Sequence, residues 1–136
     1  MACPFFYPTA RLETSSWVIP PRLPLGDAYA GECRAAAIAF QPEEQVVRGV
    51  CNSGYGRGCC QRFPDESERD AVRFHVAGDA GDLIRIQYVF EKACWPASNG
   101  VVEFSIASHQ LCSLTEDAIL KRQAEAFAES YVRRRD

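Results

Sequence analysis

The cysteines are the residues of this chain whose type and number point most directly to chemistry. The chain has 136 residues, and seven of them are cysteine. Five lie in the first 64 residues, and Cys94 and Cys112 lie in the second half. Because seven is odd, any disulfide scheme within the chain leaves at least one thiol unpaired. Thiolates bind zinc and iron–sulfur centres and also act as nucleophiles, so metal binding and thiol chemistry are the functions to weigh.

The predicted ligand set is Cys3, Cys33, Cys51 and Cys60, with Cys59 as a substitute for the last. Four thiolates can hold a tetrahedral Zn²⁺ or a four-iron, four-sulfur cluster. Zinc sites usually carry paired Cys-x-x-Cys motifs, which this chain lacks, and ferredoxin spacing is also absent. Four cysteines that are each separated from the next by many residues favour the iron–sulfur cluster. A zinc site is the first alternative, and a protein without metal is the second. A redox switch between the adjacent Cys59 and Cys60 is a further alternative.

The neighbourhood of these cysteines suits a buried anionic centre. Four thiolates around a cubane of formal charge +2 leave a net charge of about −2, which we expect Arg48, Arg57 and Arg62 to offset. Glycines at 54, 56 and 58 permit unusual backbone angles and a close approach of N–H groups to sulfur. Aromatic side chains are expected to keep water out, namely Phe5, Phe6, Tyr7, Tyr55 and Phe63.

Four segments carry a recognisable pattern: CPFF at 3–6, PLGDAYAGEC at 24–33, CNSGYGRGCCQRFP at 51–64 and DAVRF at 70–74. In these segments the chain resembles a family of bacterial proteins of uncharacterised activity, over about its first 75 residues. In that family a single cysteine precedes the x-Arg-Phe-Pro element. The resemblance therefore implies that Cys60 is the matching position, with Cys59 as the departure, and it implies no activity.

The beginning of the chain and its charge bear on compartment and partners. Residues 1–8 lack the basic and apolar regions of a secretory signal peptide, so we expect a cytoplasmic protein. No apolar run approaches the roughly 18 residues that a membrane span requires. The net charge of −3 gives no electrostatic reason to expect nucleic acid or an anionic membrane as a partner.

The second half has the periodicity of regular structure. Alternating apolar residues predict strands over 71–77, 83–91 and 101–107. A turn at 78–82 and a loop at 93–100, which contains a proline and an Asn-Gly pair, separate them. The short connections predict an antiparallel three-stranded meander with one apolar face.

A helix over 114–134 is predicted to cover that face. Ser113 and Glu116 have the spacing of a capping box, and apolar residues recur after them at helical intervals. With 47% hydrophobic and 24% charged residues, the composition is that of a globular protein. The predicted fold class is therefore α+β, a single domain over 1–136 with a β-β-β-α core at 65–136.

The first half, 1–64, holds most of the prolines and has no clear periodicity. We expect an extended segment over 3–26, short helices at 27–39 and 42–50, and a loop at 52–58. Irregular backbone costs conformational entropy, so we expect something to fix this half in place. Thiolate ligation of a metal centre would do so.

Other chemistry-bearing residues have simpler interpretations. A thiol enzyme that pairs a cysteine with His75 or His109 lacks any nucleophile signature, so no enzymatic activity is assigned. Cys94 and Cys112 are interpreted as small, semi-buried apolar residues. The acidic run at 65–70 is interpreted as a solvated turn.

The sequence thus predicts a small iron–sulfur protein for electron transfer, redox sensing or structural cluster binding, with a redox or other protein partner. The alternative is a non-catalytic interaction module or a small subunit of a larger complex, with zinc or no metal.

Overall fold

A computed structural model describes residues 2–12, 25, 28–57, 60–64, 66–112 and 117–135. Their elements form two antiparallel sheets, a short helical segment between them in sequence, and a C-terminal helix. The predicted combination of antiparallel strands with a C-terminal helix is confirmed. The predicted count of three strands is wrong, because the structure has a four-stranded sheet and a separate two-stranded sheet.

The larger sheet has the order β3-β4-β5-β6. Its three long strands are β3 (Ala71–Asp79), β4 (Leu83–Lys92) and β5 (Trp95–Ser105), and the short β6 (Gln110–Leu111) pairs with the end of β5. The three long strands overlap the three predicted ones, since their alternating patterns bury one face. The fourth strand was missed because two residues are too few to show any alternation.

The connection between β4 and β5 is shorter than the predicted loop at 93–100. Ala93 and Cys94 both have positive φ, 51° and 69°, which suits a two-residue hairpin turn. β5 therefore begins at Trp95, and the Asn-Gly pair lies inside the strand. Gly100 is needed there because a Cβ at this position would collide with the ring of Tyr88 on β4.

Helix α2 (Ala118–Arg135) packs against the sheet. Phe127 stacks on Phe74 of β3 with ring centroids 5.6 Å apart. The side chain of Asp117 accepts a hydrogen bond from the backbone N–H of Leu120 at 3.0 Å, which caps the first turn. The predicted capping box of Ser113 and Glu116 lies outside the described residues. None of the helices described here is long and apolar enough to cross a membrane.

The smaller sheet pairs β1 (Phe6–Arg11) with β2 (Tyr29–Cys33). The predicted helix at 27–39 is therefore wrong. Gly31 shows one reason: its backbone lies so close to β1 that a Cβ would stand 2.8 Å from the ring of Phe6. The predicted helix at 42–50 is present as α1 (Glu44–Val46) followed by a π-helical turn (Val47–Cys51).

Buried polar side chains fix the first half of the chain. Asn52 donates to the carbonyl oxygens of Tyr29 and Val47, both at 2.9 Å, and its Oδ1 accepts from the N–H of Tyr29 at 3.1 Å. The Tyr29 hydroxyl in turn donates to the carbonyl of Ala126 and shares a hydrogen bond with Ser130 on α2. These bonds join the π-helical turn, β2 and α2.

Backbone pairing adds a second anchor at the start of the chain. Ala2 exchanges two hydrogen bonds with Val72 of β3, at 2.7 and 2.9 Å. The buried core is shared by residues from both halves, including Phe6, Tyr29 and Phe104. Packing and hydrogen bonds thus join the described parts of the first half to the rest of the protein, and the expected contribution of thiolate ligation stays a prediction.

We predict that Asn52→Ala lowers the free energy of unfolding by about 2–4 kcal/mol. The substitution removes three hydrogen bonds and leaves buried backbone groups of Tyr29 and Val47 without a partner. Urea unfolding of the metal-free, reduced protein measures the change. The control Asn99→Ala alters an exposed side chain and should change stability by less than about 0.5 kcal/mol. Equal effects of the two substitutions would contradict the anchoring role of Asn52.

Candidate metal centre

The four predicted ligands line a single cavity of about 340 Å³, which we call the cysteine cavity. They come from four separate segments. Cys3 precedes β1, Cys33 ends β2, Cys51 ends the π-helical turn, and Cys60 lies in the following loop. The structure therefore brings together the four residues that the sequence singled out, and Cys59 lies outside the described residues.

The two innermost cysteines are held through their backbones. The N–H of Cys3 donates to the carbonyl of Cys51 at 3.0 Å. Gln123 of α2, which is buried, donates through Nε2 to the carbonyl oxygens of Cys3 and Phe6 at 2.8 and 2.7 Å. The C-terminal helix thus positions the first cysteine of the chain. No local sequence pattern signals this contact, because the two residues are 120 positions apart.

Cys33 and Cys60 are held by tight local backbone pairs. Cys33 exchanges two hydrogen bonds with Phe40, at 2.7 and 3.0 Å, which folds the chain back and brings Phe40 to the cavity. The N–H of Cys60 donates to the carbonyl of Gly56 at 2.6 Å. Gly56 is needed for space, since a Cβ there would lie 2.8 Å from Cγ1 of Val50 and 3.3 Å from Cβ of Cys60.

The walls of the cysteine cavity are mostly apolar. Phe5 and Phe6 line it as predicted. Tyr7 stacks instead under Arg34, and the hydroxyl of Tyr55 donates to Glu91, so these two aromatic residues have other partners. Four wall residues were missed by sequence reasoning: Phe40, Pro42, Val46 and Val50. The last three recur at intervals of four residues, which is the helical spacing that would have revealed them.

The three arginines expected to offset the charge of the centre have different surroundings. Arg62 lines the cavity, at its rim with Glu43 and Gln61. Arg48 pairs with Glu44, four residues earlier on the helical segment, at 3.2 Å. Arg57 is bound to the carboxylate of Asp70, the residue that directly precedes β3, at 2.7 Å. Of the three arginines, Arg62 is therefore the one that lies where its charge could offset that of an anionic centre in the cavity.

Asp70 anchors the loop that carries Cys60. One of its oxygens accepts from Nε of Arg57 at 2.7 Å and the other from the backbone N–H of Ala93 at 2.8 Å, while its carbonyl accepts from the N–H of Tyr55. Its interpretation as part of a solvated acidic run is wrong, because the residue is 4% exposed. Burial alone would raise the pKa of this carboxyl, but the hydrogen bonds from Ala93 and Arg57 outweigh it and hold the pKa below its ordinary value.

The buried thiols resist ionisation in the absence of a cation. Burial, with a smaller contribution from Cys33 and Cys60, raises the pKa of Cys3 to about 12. Burial, with smaller contributions from the other three cysteines, likewise raises the pKa of Cys51 to about 12. A bound metal cation would reverse this balance and displace the protons.

The four cysteines line one cavity without forming a site for a single ion. Among the described residues, no three His, Cys, Asp or Glu side chains are grouped so that they could hold a metal ion. A tetrahedral zinc site with Zn–S bonds of about 2.3 Å needs sulfurs about 3.8 Å apart. The cavity is roughly ten times the ~30 Å³ that one water molecule takes in the liquid. The described residues thus offer four thiols and space for a larger group in one cavity, without a ready-formed site for a single ion.

The remaining candidate residues lie elsewhere. Cys94 and Cys112 are exposed, so their interpretation as semi-buried apolar residues is wrong. His75 is exposed on β3, and His109 lies edge-on to Phe104. Neither histidine is among the residues that line the cysteine cavity.

No family model, curated protein or solved structure matches this chain. The resemblance of its first 75 residues to a bacterial family of uncharacterised activity stays a prediction.

We predict that Asp70→Asn lowers the free energy of unfolding at pH 7 by about 1–3 kcal/mol, because it weakens a buried, charge-assisted pair with Arg57. The pKa of Asp70 is lower in the folded state, so its stabilisation is complete above the ordinary pKa of 3.8 and is lost as the pH falls through the folded value. The difference between the two proteins should therefore be constant from pH 7 to about pH 5 and shrink below pH 3.8.

Urea unfolding at a series of pH values measures this dependence. Glu66→Gln serves as the control, since Glu66 is exposed and lies in the same acidic run. A stability difference that grows as the pH falls would contradict the role given to Asp70.

Proposed function

We propose that this protein binds a four-iron, four-sulfur cluster through Cys3, Cys33, Cys51 and Cys60. The observation that carries the proposal is the convergence of these four cysteines, from four separate segments, on one cavity. A cubane cluster has one cysteine on each of its four irons, so its ligands stand farther apart than those of a single zinc ion. That separation suits four cysteines that line one cavity and that, among the described residues, form no site for a single ion.

The walls give the site the other properties that such a cluster needs. Phe5, Phe6, Val46 and Val50 give the cavity an apolar lining. Arg62 at the rim offers a positive charge to an anionic centre. The residues of the chain hold and shield the group, and the cluster supplies one-electron redox chemistry. The proposed role is electron transfer, redox sensing or structural cluster binding, with a protein partner, in the reducing cytoplasm where the thiols stay available.

The proposal predicts a brown protein after anaerobic purification or reconstitution. It should absorb near 400 nm and contain about four irons and four sulfides per chain. Iron and sulfide analysis with the visible spectrum measures this. A colourless protein with iron well below one per chain, or one that retains zinc after anaerobic reconstitution with iron and sulfide, would contradict it.

Single cysteine-to-serine variants assign the ligands. Substitution of Cys3, Cys33, Cys51 or Cys60 should lower the iron content by half or more, since each removes one of the four thiolates. Cys94→Ser and Cys112→Ser are matched controls, because these residues are exposed and distant from the cavity lining. Equal losses in ligand and control variants would contradict the assignment.

We predict that the metal-free protein stays folded. The hydrogen bonds of Asn52 and Gln123 and the Ala2–Val72 pair are independent of any metal. Cys60→Ser should therefore lose iron yet keep the far-ultraviolet circular dichroism and the cooperative unfolding of the parent. Loss of cooperative unfolding in this variant, with Cys112→Ser unaffected, would show that the centre is needed for folding.

A second candidate is a non-catalytic interaction module with zinc or no metal. Two apolar side chains that are two residues apart in the chain favour it, because Ile38 is 83% exposed and Phe40 is 37% exposed. Exposed apolar groups of this size are typical of contact surfaces when they cluster. If the reconstituted protein contains no iron, the result favours this second function over cluster binding.

A further inference from the structure

The four cysteines differ in their access to solvent. Cys3 and Cys51 are 8% and 5% exposed and form the inner side of the cysteine cavity. Cys33 and Cys60 are half-buried and lie on segments that continue into exposed residues. Small molecules, metal ions and partners therefore reach the cavity from the side of Cys33 and Cys60.

One side-chain contact spans this outer side. The guanidinium carbon of Arg62 stands 3.3 Å from the centre of the Phe40 ring, and both residues line the cavity. Phe40 is held to Cys33 by two backbone hydrogen bonds, and Arg62 follows Cys60 by two residues. The stack thus connects the two segments that carry the outer cysteines.

We propose that the stack of Arg62 on Phe40 partly closes the mouth of the cysteine cavity and thereby limits access to Cys33 and Cys60. A cation on an aromatic ring at an exposed site contributes about 0.5–1 kcal/mol, so its loss should raise the population of the open mouth about two- to fivefold. Arg62 also brings its charge to the centre. This second role rests on the proposed function, whereas the closure of the mouth does not.

Thiol alkylation of the metal-free protein tests the closure directly. Cys59, Cys94 and Cys112 are first replaced by serine, so that a bulky maleimide reports on the four cavity cysteines. Arg62→Lys keeps the positive charge and removes the planar stack, and Phe40→Ala removes the ring and leaves the charge. Both should speed the alkylation of Cys33 and Cys60 about two- to fivefold, as read by peptide mass mapping.

Arg34→Lys is the matched control. Arg34 stacks on Tyr7 at 3.5 Å and adjoins Cys33 in sequence, but it is not among the residues that line the cavity. It should leave the alkylation rates unchanged. Circular dichroism checks that each variant is folded, and Arg62→Lys retains an informative test if Phe40→Ala does not fold. Unchanged rates in the variants of the mouth, or equal acceleration by Arg34→Lys, would overturn the proposal.

The iron-loaded protein tests the charge of Arg62. Arg62→Gln should lower the reduction potential of the centre, because a nearby positive charge favours the more negative, reduced state, and Arg62→Lys should preserve it. Arg62→Gln and Arg62→Lys should both speed the removal of iron by a chelator, because each removes the stack on Phe40. Equal potentials in the two variants would overturn this role. Failure of the chain to bind iron contradicts the proposed function, whereas the alkylation rates still decide whether the mouth is closed by the stack.

Discussion

The hydrogen bonds from Gln123 to the carbonyl oxygens of Cys3 and Phe6 are the contact on which the arrangement of the site depends. They connect the last helix of the chain to the segment that carries the first cysteine. Asn52 does the same for the π-helical turn and β2, so that Cys51 and Cys33 are held to one frame. Both side-chain amides are buried, so any arrangement that left them without hydrogen-bond partners would carry a desolvation cost. This cost favours the one arrangement of these segments in which all the hydrogen bonds are made.

This frame has a consequence for the energetics of the cysteine cavity. It holds Cys3 and Cys51 in buried positions. Cys3 and Cys51 therefore stay neutral, with the pKa of each raised to about 12 by burial and by repulsion among the four sulfurs. A bound metal cation would offset the cost of ionising these thiols and displace the protons. The mostly apolar cavity is thus poorly suited to four thiolates without a bound cation.

The sequence predicted the elements whose apolar periodicity extends over many residues and whose buried side is the same throughout. The three long strands alternate over seven or more residues, and the final helix repeats its apolar positions over five turns, so burial of one face was readable. Sequence reasoning failed where neighbours in space decide the conformation. Residues 27–39 have a composition acceptable in a helix, but Gly31 pairs against β1 under the ring of Phe6. The Asn-Gly pair reads as a turn, yet Gly100 gives room to Tyr88 inside a strand, and the turn itself lies at Ala93 and Cys94.

The choice of Cys3, Cys33, Cys51 and Cys60 followed from residue type and from their concentration in an irregular, glycine-rich half of the chain. Those features are local and are present in the sequence by itself. Their meeting in one cavity, the arrival of Phe40 at its mouth, and the separate partners of Arg48 and Arg57 were decided only by the tertiary structure. The physical reason is that these contacts depend on hydrogen bonds and packing between residues up to 120 positions apart, which leave no periodic trace along the chain.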